Sequence, residues 1–304
     1  MTKVIVVIGP TSVGKTKMGV ELSKALDGEV ISGDSMQIYK SMDIGTAKVS
    51  EAEKEGIIHH LIDIKEPTES YSVKEFQDDV RYYIDDLTKR NKIPIIVGGT
   101  GLYIKGALYD YQFDESDAHH DYFNDKYKDY SNFELFEYLK KIDEKSASKL
   151  HYNNRRRVLR AIEIYELTGK KKSETIDEQK HVCLYDAYFV GLTIDRELLY
   201  DRINQRVDLM IEKGLEKEVR KLYDHGLTRN HQSMKAIGYK EWFDYFEGKC
   251  SKKEVTELIK KNSRNYAKRQ YTWFKNQFDV HWYDVNIECF EESVNKVIND
   301  LKES

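Results

Sequence analysis

Eight residues near the start, Gly9-Pro10-Thr11-Ser12-Val13-Gly14-Lys15-Thr16, have the types and spacing of a phosphate cradle. Glycines let successive backbone N–H groups turn toward an anion, and a following helix N-terminus adds a favourable dipole. Lys15 supplies a point charge to a terminal phosphate, and Thr16 offers a hydroxyl to Mg²⁺. The pattern marks a P-loop, whose usual ligand is ATP or GTP. A nucleotide hydrolase also needs an acid at the end of a neighbouring strand to hold Mg²⁺ through water. The best candidate strand, Ile95-Ile96-Val97, ends instead in Gly98-Gly99-Thr100. The acid stands elsewhere, at Asp34 after Glu29-Val30-Ile31-Ser32-Gly33. It could serve as a metal-linked ligand or a general base, or it could simply start a turn.

These residues need a frame. Val4 to Ile8 and Ile93 to Val97 are continuous apolar runs, as in strands buried on both faces of a parallel sheet. Helices are expected over Lys15 to Leu26 and Val73 to Arg90, and a third short strand over His60 to Asp63. The pattern returns at Tyr188 to Thr193 and near Val280 to Tyr283. Strands alternating with helices predict an α/β fold, a doubly wound parallel sheet. In such a sheet the loops at the carboxyl ends of the strands share one crevice, so Asp34 and Thr100 should face the P-loop. From about Tyr111 to Lys180 the reading is helical, aromatic and charged, with helices over Asn132 to Leu150 and Asn153 to Leu167. The expected architecture is a core of residues 1–111 and 181–304 with a helical insertion domain at 112–180.

The net charge of −4 hides an uneven distribution. Acidic residues crowd Asp110 to Tyr130, whereas His151 to Lys172 carries seven bases against Glu163 and Glu166. Lys252 to Lys275 carries eight bases against Glu254 and Glu257. Such segments are either solvated helix faces or local sites for a polyanion. The three cysteines, Cys183, Cys250 and Cys289, are too far apart for a Cys-x-x-Cys zinc site and argue against a disulfide framework. No apolar run reaches the ~20 residues of a membrane span. No signal peptide is apparent, so no membrane partner and a cytoplasmic location are expected.

Several ordered motifs together resemble the tRNA dimethylallyltransferase family. They are Gly9 to Thr16, Gly33-Asp34-Ser35-Met36-Gln37-Ile38-Tyr39, Asp43-Ile44-Gly45-Thr46-Ala47-Lys48 and His59-His60-Leu61-Ile62-Asp63. Val97-Gly98-Gly99-Thr100-Gly101-Leu102-Tyr103, Arg157-Val158-Leu159-Arg160-Ala161, Ile237-Gly238-Tyr239-Lys240-Glu241 and Arg264-Asn265-Tyr266-Ala267-Lys268-Arg269-Gln270 continue the series. The resemblance implies transfer of a dimethylallyl group from dimethylallyl diphosphate to the exocyclic N6 of an adenosine beside the tRNA anticodon. The P-loop would then hold the donor's diphosphate, which agrees with the missing acid after Val97. Asp34 would be the general base, Thr100 would position the amine, and Arg206 would help stabilise the leaving diphosphate beside Mg²⁺ on Thr16. The adenine must be extruded from the stacked loop, with Ser35, Met36 and Gln37 placed to touch it and its neighbours. Arg156, Arg157, Arg160, Lys268 and Arg269 become candidates for phosphates of the anticodon stem-loop. A monomer of the bacterial type is expected, without the zinc finger of eukaryotic relatives.

The chain departs from the family pattern at Asn154, Val49 and Ser263 and in the segment from Asp114 to Tyr130, which lacks the arginine the pattern has at the start of the insertion; none of these changes Lys15, Thr16, Asp34 or Thr100. Two other enzymes share the P-loop logic, a small-molecule kinase and an isopentenyltransferase acting on free adenine nucleotides. The missing strand-end acid weighs against the first, and the long basic insertion against both. A non-catalytic RNA-binding protein would have no use for the full set Lys15, Thr16, Asp34 and Thr100.

Overall fold

The computed structural model describes residues 1–111, 120–174 and 182–303. The chain forms two compact units, Met1–Leu108 with Cys183–Ser304, and Tyr109–Val182. The expected junctions at 111/112 and 180/181 involve residues outside the described ones, as do Asp114, Glu115 and Asp117 of the acidic run.

In chain order the first segment runs β1 (Lys3–Ile8), α1 (Lys15–Leu26), β2 (Gly28–Ser32), α2 (Glu51–Lys54), β3 (His59–His60), α3 (Val73–Lys89), β4 (Ile93–Val97) and α4 (Gly101–Leu108). The second unit holds α5 (His120–Lys126), α6 (Asn132–Ile142), α7 (Glu144–Ala147) and α8 (Arg155–Thr168). The chain then returns with β5 (Asp186–Thr193), α9 (Arg196–Glu212), α10 (Leu215–Asp224), α11 (Trp242–Phe246), α12 (Lys252–Gln277), β6 (His281–Asp284) and α13 (Phe290–Glu303).

The six strands form one parallel sheet in the order β3-β2-β4-β1-β5-β6. β1 lies inside it, with Ile5 opposite Ile95 on one side and Tyr188 on the other. Its residues Val4 to Ile8 are buried because helices cover both faces, which is why the run is apolar without alternation. Met18 and Leu22 of α1 share a core with Ile5, Val7, Val190, Leu192 and, from α13, Val294, Val297 and Leu301. The second unit has its own core of Phe123, Leu135, Leu139, Val158, Leu159 and Ile162. No strand is found among its described residues.

Two expected elements are corrected. The strand expected over His60 to Asp63 is only His59–His60, because Leu61 and Asp63 take positive φ of 61° and 56° and leave the extended region. The single helix expected over Asn132 to Leu150 is broken at Asp143 (φ −147°, ψ 78°). Its carboxylate accepts from the Ser146 N–H (3.0 Å), the Ser173 N–H (3.0 Å) and the Ser173 hydroxyl (2.7 Å). Capping the next helix and tying in residue 173 hold Asp143 outside helical geometry.

The sheet's carboxyl edge positions the chemistry. After β2 and β4 the two chains run almost in contact: the Gly33 N–H donates to Val97 O (2.8 Å) and the Thr100 N–H to Gly33 O (3.2 Å). A methyl group on Gly98 would lie 2.3 Å from the Gly33 backbone, so one loop must move to admit it. Gly98→Ala is therefore expected to destabilise the protein by about 1–3 kcal/mol, read as a lower urea midpoint with an unchanged slope. No helix among the described residues is long and apolar enough to cross a membrane.

Candidate active site

The P-loop turns between β1 and α1 through Gly9 (φ 146°), Ser12 (φ 67°) and Gly14 (φ 103°). Gly14 caps α1 in the left-handed region, where its missing Cβ also leaves room for the Phe290 ring. Val13 points the other way and packs in the core, so only its backbone belongs to the loop. The Lys15 ammonium donates to Gly9 O (3.1 Å) and Pro10 O (2.7 Å) and lies deep among protein atoms, while part of its side chain lines the cavity. Burial first, then the Arg206 charge, pull its pKa down to about 7, with Asp34 acting in the opposite sense. Burial likewise holds Arg206 below the ordinary arginine value, again with Asp34 opposing.

Two cavities of about 430 and 370 Å³ meet over the loop, and both are lined by Thr11, Ser12, Asp34, Thr46 and Arg206. The first also takes Gly14, Lys15, Thr16 and Gln37, and the second Ser35, Met36, Tyr266 and Arg269. Asp34 thus stands where a ligand held on the P-loop would meet a ligand entering from the other side. Its Oδ1 accepts from the Met36 N–H at 2.9 Å, which fixes the carboxylate's orientation and leaves the other oxygen for chemistry. Thr100 is locked against the same loop: its hydroxyl accepts from the Ser35 N–H (3.1 Å) and lies 3.3 Å from the Ser35 hydroxyl. Arg206 Nη1 donates to Thr11 Oγ1 (3.3 Å), and Arg202 Nε donates to Ser12 O (3.0 Å).

The other candidates divide. Gln37 turns toward the first cavity, 3.4 Å from both Thr46 O and Ala47 O, whereas Ser35 and Met36 face the second. Arg269 lines the second cavity; Lys268, beside it on α12, is exposed and lines neither. Arg156, Arg157 and Arg160 lie on α8, in the other compact unit. Arg156 and Arg157 are exposed, while Arg160 pairs with the buried Glu163 at 3.1 Å.

The profile of the IPP transferase family matches residues 37–277. A tRNA dimethylallyltransferase of Anoxybacillus flavithermus is 55% identical over 301 residues, covering 99% of this chain and 96% of its own. The tRNA isopentenylpyrophosphate transferase structure from Bacillus halodurans superimposes with a TM-score of 0.75 at 44% identity, covering 100% of this chain and 98% of its own. A eukaryotic dimethylallyltransferase acting on tRNA superimposes with a TM-score of 0.88 at 32% identity, covering 100% of this chain and 80% of its own. The chain belongs to the tRNA dimethylallyltransferase family.

Membership of the family does not by itself show what holds this member's site in shape. Three supports were missed in the sequence. Gln270, in the Arg264 to Gln270 motif, accepts from the Thr11 N–H and donates to Gly99 O, both at 3.0 Å. Tyr266, one turn earlier, lines the second cavity, and burial pushes its phenol up to about 12. Glu218 accepts from the N–H groups of Asp43 (2.9 Å), Ile44 (2.8 Å) and Gly45 (3.1 Å) and from the Tyr239 hydroxyl (2.5 Å), fixing the loop that lines both cavities. The motif residues pointed to the first two. Nothing in the sequence marked Glu218.

With its pKa near 7, Lys15 has largely lost its proton at pH 8 in the free protein. An anion beside it favours the ammonium and raises that value. Binding of dimethylallyl diphosphate at pH 8 should therefore take up protons, and the uptake should vanish in Lys15→Met. Calorimetry in buffers of different ionisation heat reads this directly.

Proposed function

We propose that this member transfers the dimethylallyl group of dimethylallyl diphosphate to N6 of the adenosine 3′ of a tRNA anticodon, releasing diphosphate. The observation that carries the reading is the meeting of two cavities at Asp34, with Lys15 on one side and Ser35, Met36 and Tyr266 on the other. One holds an anion on backbone amides and a lysine, and the other is large enough for a base. The activities of its relatives match that division.

In the reaction, the adenine amine attacks the allylic carbon. The carbon–oxygen bond breaks and its electron pair leaves with the diphosphate. The amine's proton passes to the free oxygen of Asp34, whose other oxygen stays bound to the Met36 N–H. Thr100 holds the Asp34–Ser35 loop and so sets where the base can stand. Lys15, Arg206 and the P-loop amides receive the charge that builds on the diphosphate. Thr16, exposed in the first cavity, offers a hydroxyl that would hold a Mg²⁺. Mg²⁺ takes only one or two protein oxygens in such sites, and no cluster of three acidic, His or Cys side chains is present among the described residues. When bound, the ion would add neutralisation of the leaving group.

A stacked anticodon base cannot reach the second cavity, so the base must be flipped out, and the rest of the stem-loop needs a basic surface. Arg156 and Arg157 have no carboxylate partner among the described residues and serve that role, as do Lys268 and Arg269. The site of action is the cytoplasm.

Asp34→Asn should keep affinity for dimethylallyl diphosphate and lower turnover ~100-fold or more. Turnover near wild type would remove Asp34 as the base. Labelled donor offered with unmodified tRNA, and separately with AMP, should label only the tRNA. Label in AMP alone would move the enzyme to the free-nucleotide class. Arg156→Ala with Arg157→Ala should weaken tRNA binding and flatten its salt dependence, by roughly one unit of log–log slope for each phosphate left without its arginine.

A further inference from the structure

The transfer joins two groups held by loops from different strands. The diphosphate loop follows β1, and the loop carrying Thr100 follows β4. Proximity catalysis is unforgiving about such spacing: a misplacement of about 1 Å can cost on the order of 100-fold in rate. At the strand ends the two chains are still in register, with the Gly98 N–H on Val7 O at 3.1 Å. Beyond that point the sheet no longer ties them together.

Gln270 crosses this gap. It is only 6% exposed, on the inner face of α12. Its Oε1 takes the Thr11 N–H and its Nε2 reaches Gly99 O, one residue from Thr100. The orientation of the amide is forced, because a backbone N–H only donates and a carbonyl only accepts. Neither carboxylate nor hydrocarbon can make both bonds. The fit is tight as well: a Cβ on Gly99 would lie 2.2 Å from Nε2. Tyr266, four residues earlier on the same helix face, brings its hydroxyl to 3.4 Å from the same Gly99 carbonyl. Thr11 is held from its other side by Arg206. Its amide is thus occupied by a side chain and not open to the anion.

We propose that Gln270 is a positioning residue: it sets the distance between the diphosphate loop and the Thr100 loop, and so between donor carbon and acceptor amine. The proposal rests on the transferase reading above. It gives Gln270 no contact with substrate, so its effect should fall on kcat and spare diphosphate affinity.

The test uses the full chain with tRNA acceptor. Gln270→Met keeps length and bulk and loses both bonds. Gln270→Glu keeps the Thr11 contact but turns an oxygen against Gly99 O. Both should lower kcat by about 10- to 100-fold while pyrophosphate affinity stays within about threefold of wild type. Gly99→Ala should cause a similar loss, because its methyl displaces the amide. Combined with Gln270→Ala, it should add little beyond the worse single change, since both break one link. The proposal is overturned if kcat of Gln270→Glu stays within about twofold of wild type, if pyrophosphate affinity falls as far as kcat does, or if the Gly99 and Gln270 effects simply multiply. Should Gln270→Met fail to fold, Gln270→Glu and the double-variant cycle decide. A wild-type chain that labels no acceptor overturns the transferase reading itself, and does so before any variant is compared.

Discussion

Two basic side chains, Lys15 and Arg206, are buried close enough to act on each other, with the Asp34 carboxylate acting on both. Lys15 and Arg206 each lose basicity to burial, and Arg206 lowers Lys15 further. Asp34 opposes the loss at both, and Glu53 opposes it at Arg206 as well. Lys15 rests on two carbonyls of its own loop, Arg206 on Thr11, and Asp34 on the Met36 amide. The donors are already in place before an anion arrives, and the anion's own charge draws the proton back onto Lys15, so a diphosphate leaving group finds its stabilisation without moving the backbone.

Much of this geometry was legible because a parallel sheet obeys strong rules. Unbroken apolar runs placed β1, β4 and β5, and the crossover rule sent the loops after β1, β2 and β4 to one edge. That predicted Asp34 in one cavity with Lys15, where the structure has it, whereas Thr100 lines neither cavity and braces Ser35 instead. The double glycine after Val97 also had a physical meaning that the structure makes plain, since the Gly33 backbone leaves Gly98 no room for a side chain. What could not be read was the bracing. Gln270 and Thr11 are 259 residues apart, and Glu218 and Asp43 are 175 apart. Type and spacing reveal a side chain's chemistry but not its distant partner.

The helical unit shows the same limit at shorter range. A run of three arginines stands at 155 to 157, and the sequence offers only the last two, with Arg160, as candidates for phosphates. Arg155 in fact spends its guanidinium on Tyr127 O (2.6 Å) and Tyr130 O (2.7 Å), pinning α5 and the start of α6 to α8. Arg160 answers the buried Glu163. Of the α8 arginines described, Arg156 and Arg157 present their charge outward, with no carboxylate partner among the described residues. Helical periodicity likewise could not show that Asp143 would serve two segments at once and so break the expected helix.

The carboxylate of Glu218 gathers three consecutive amides of a loop with no regular structure of its own. A stretch that would otherwise wander is thereby as well anchored as a strand, but by an element from far down the chain. The consequence concerns modularity. The front part of the fold looks like a self-contained phosphate-binding half, yet the loop that lines its cavities is held by α10. Because the groups held are backbone amides, the side chains of Asp43 and Ile44 can vary while the anchor stays, whereas losing the Glu218 carboxylate would release the whole loop.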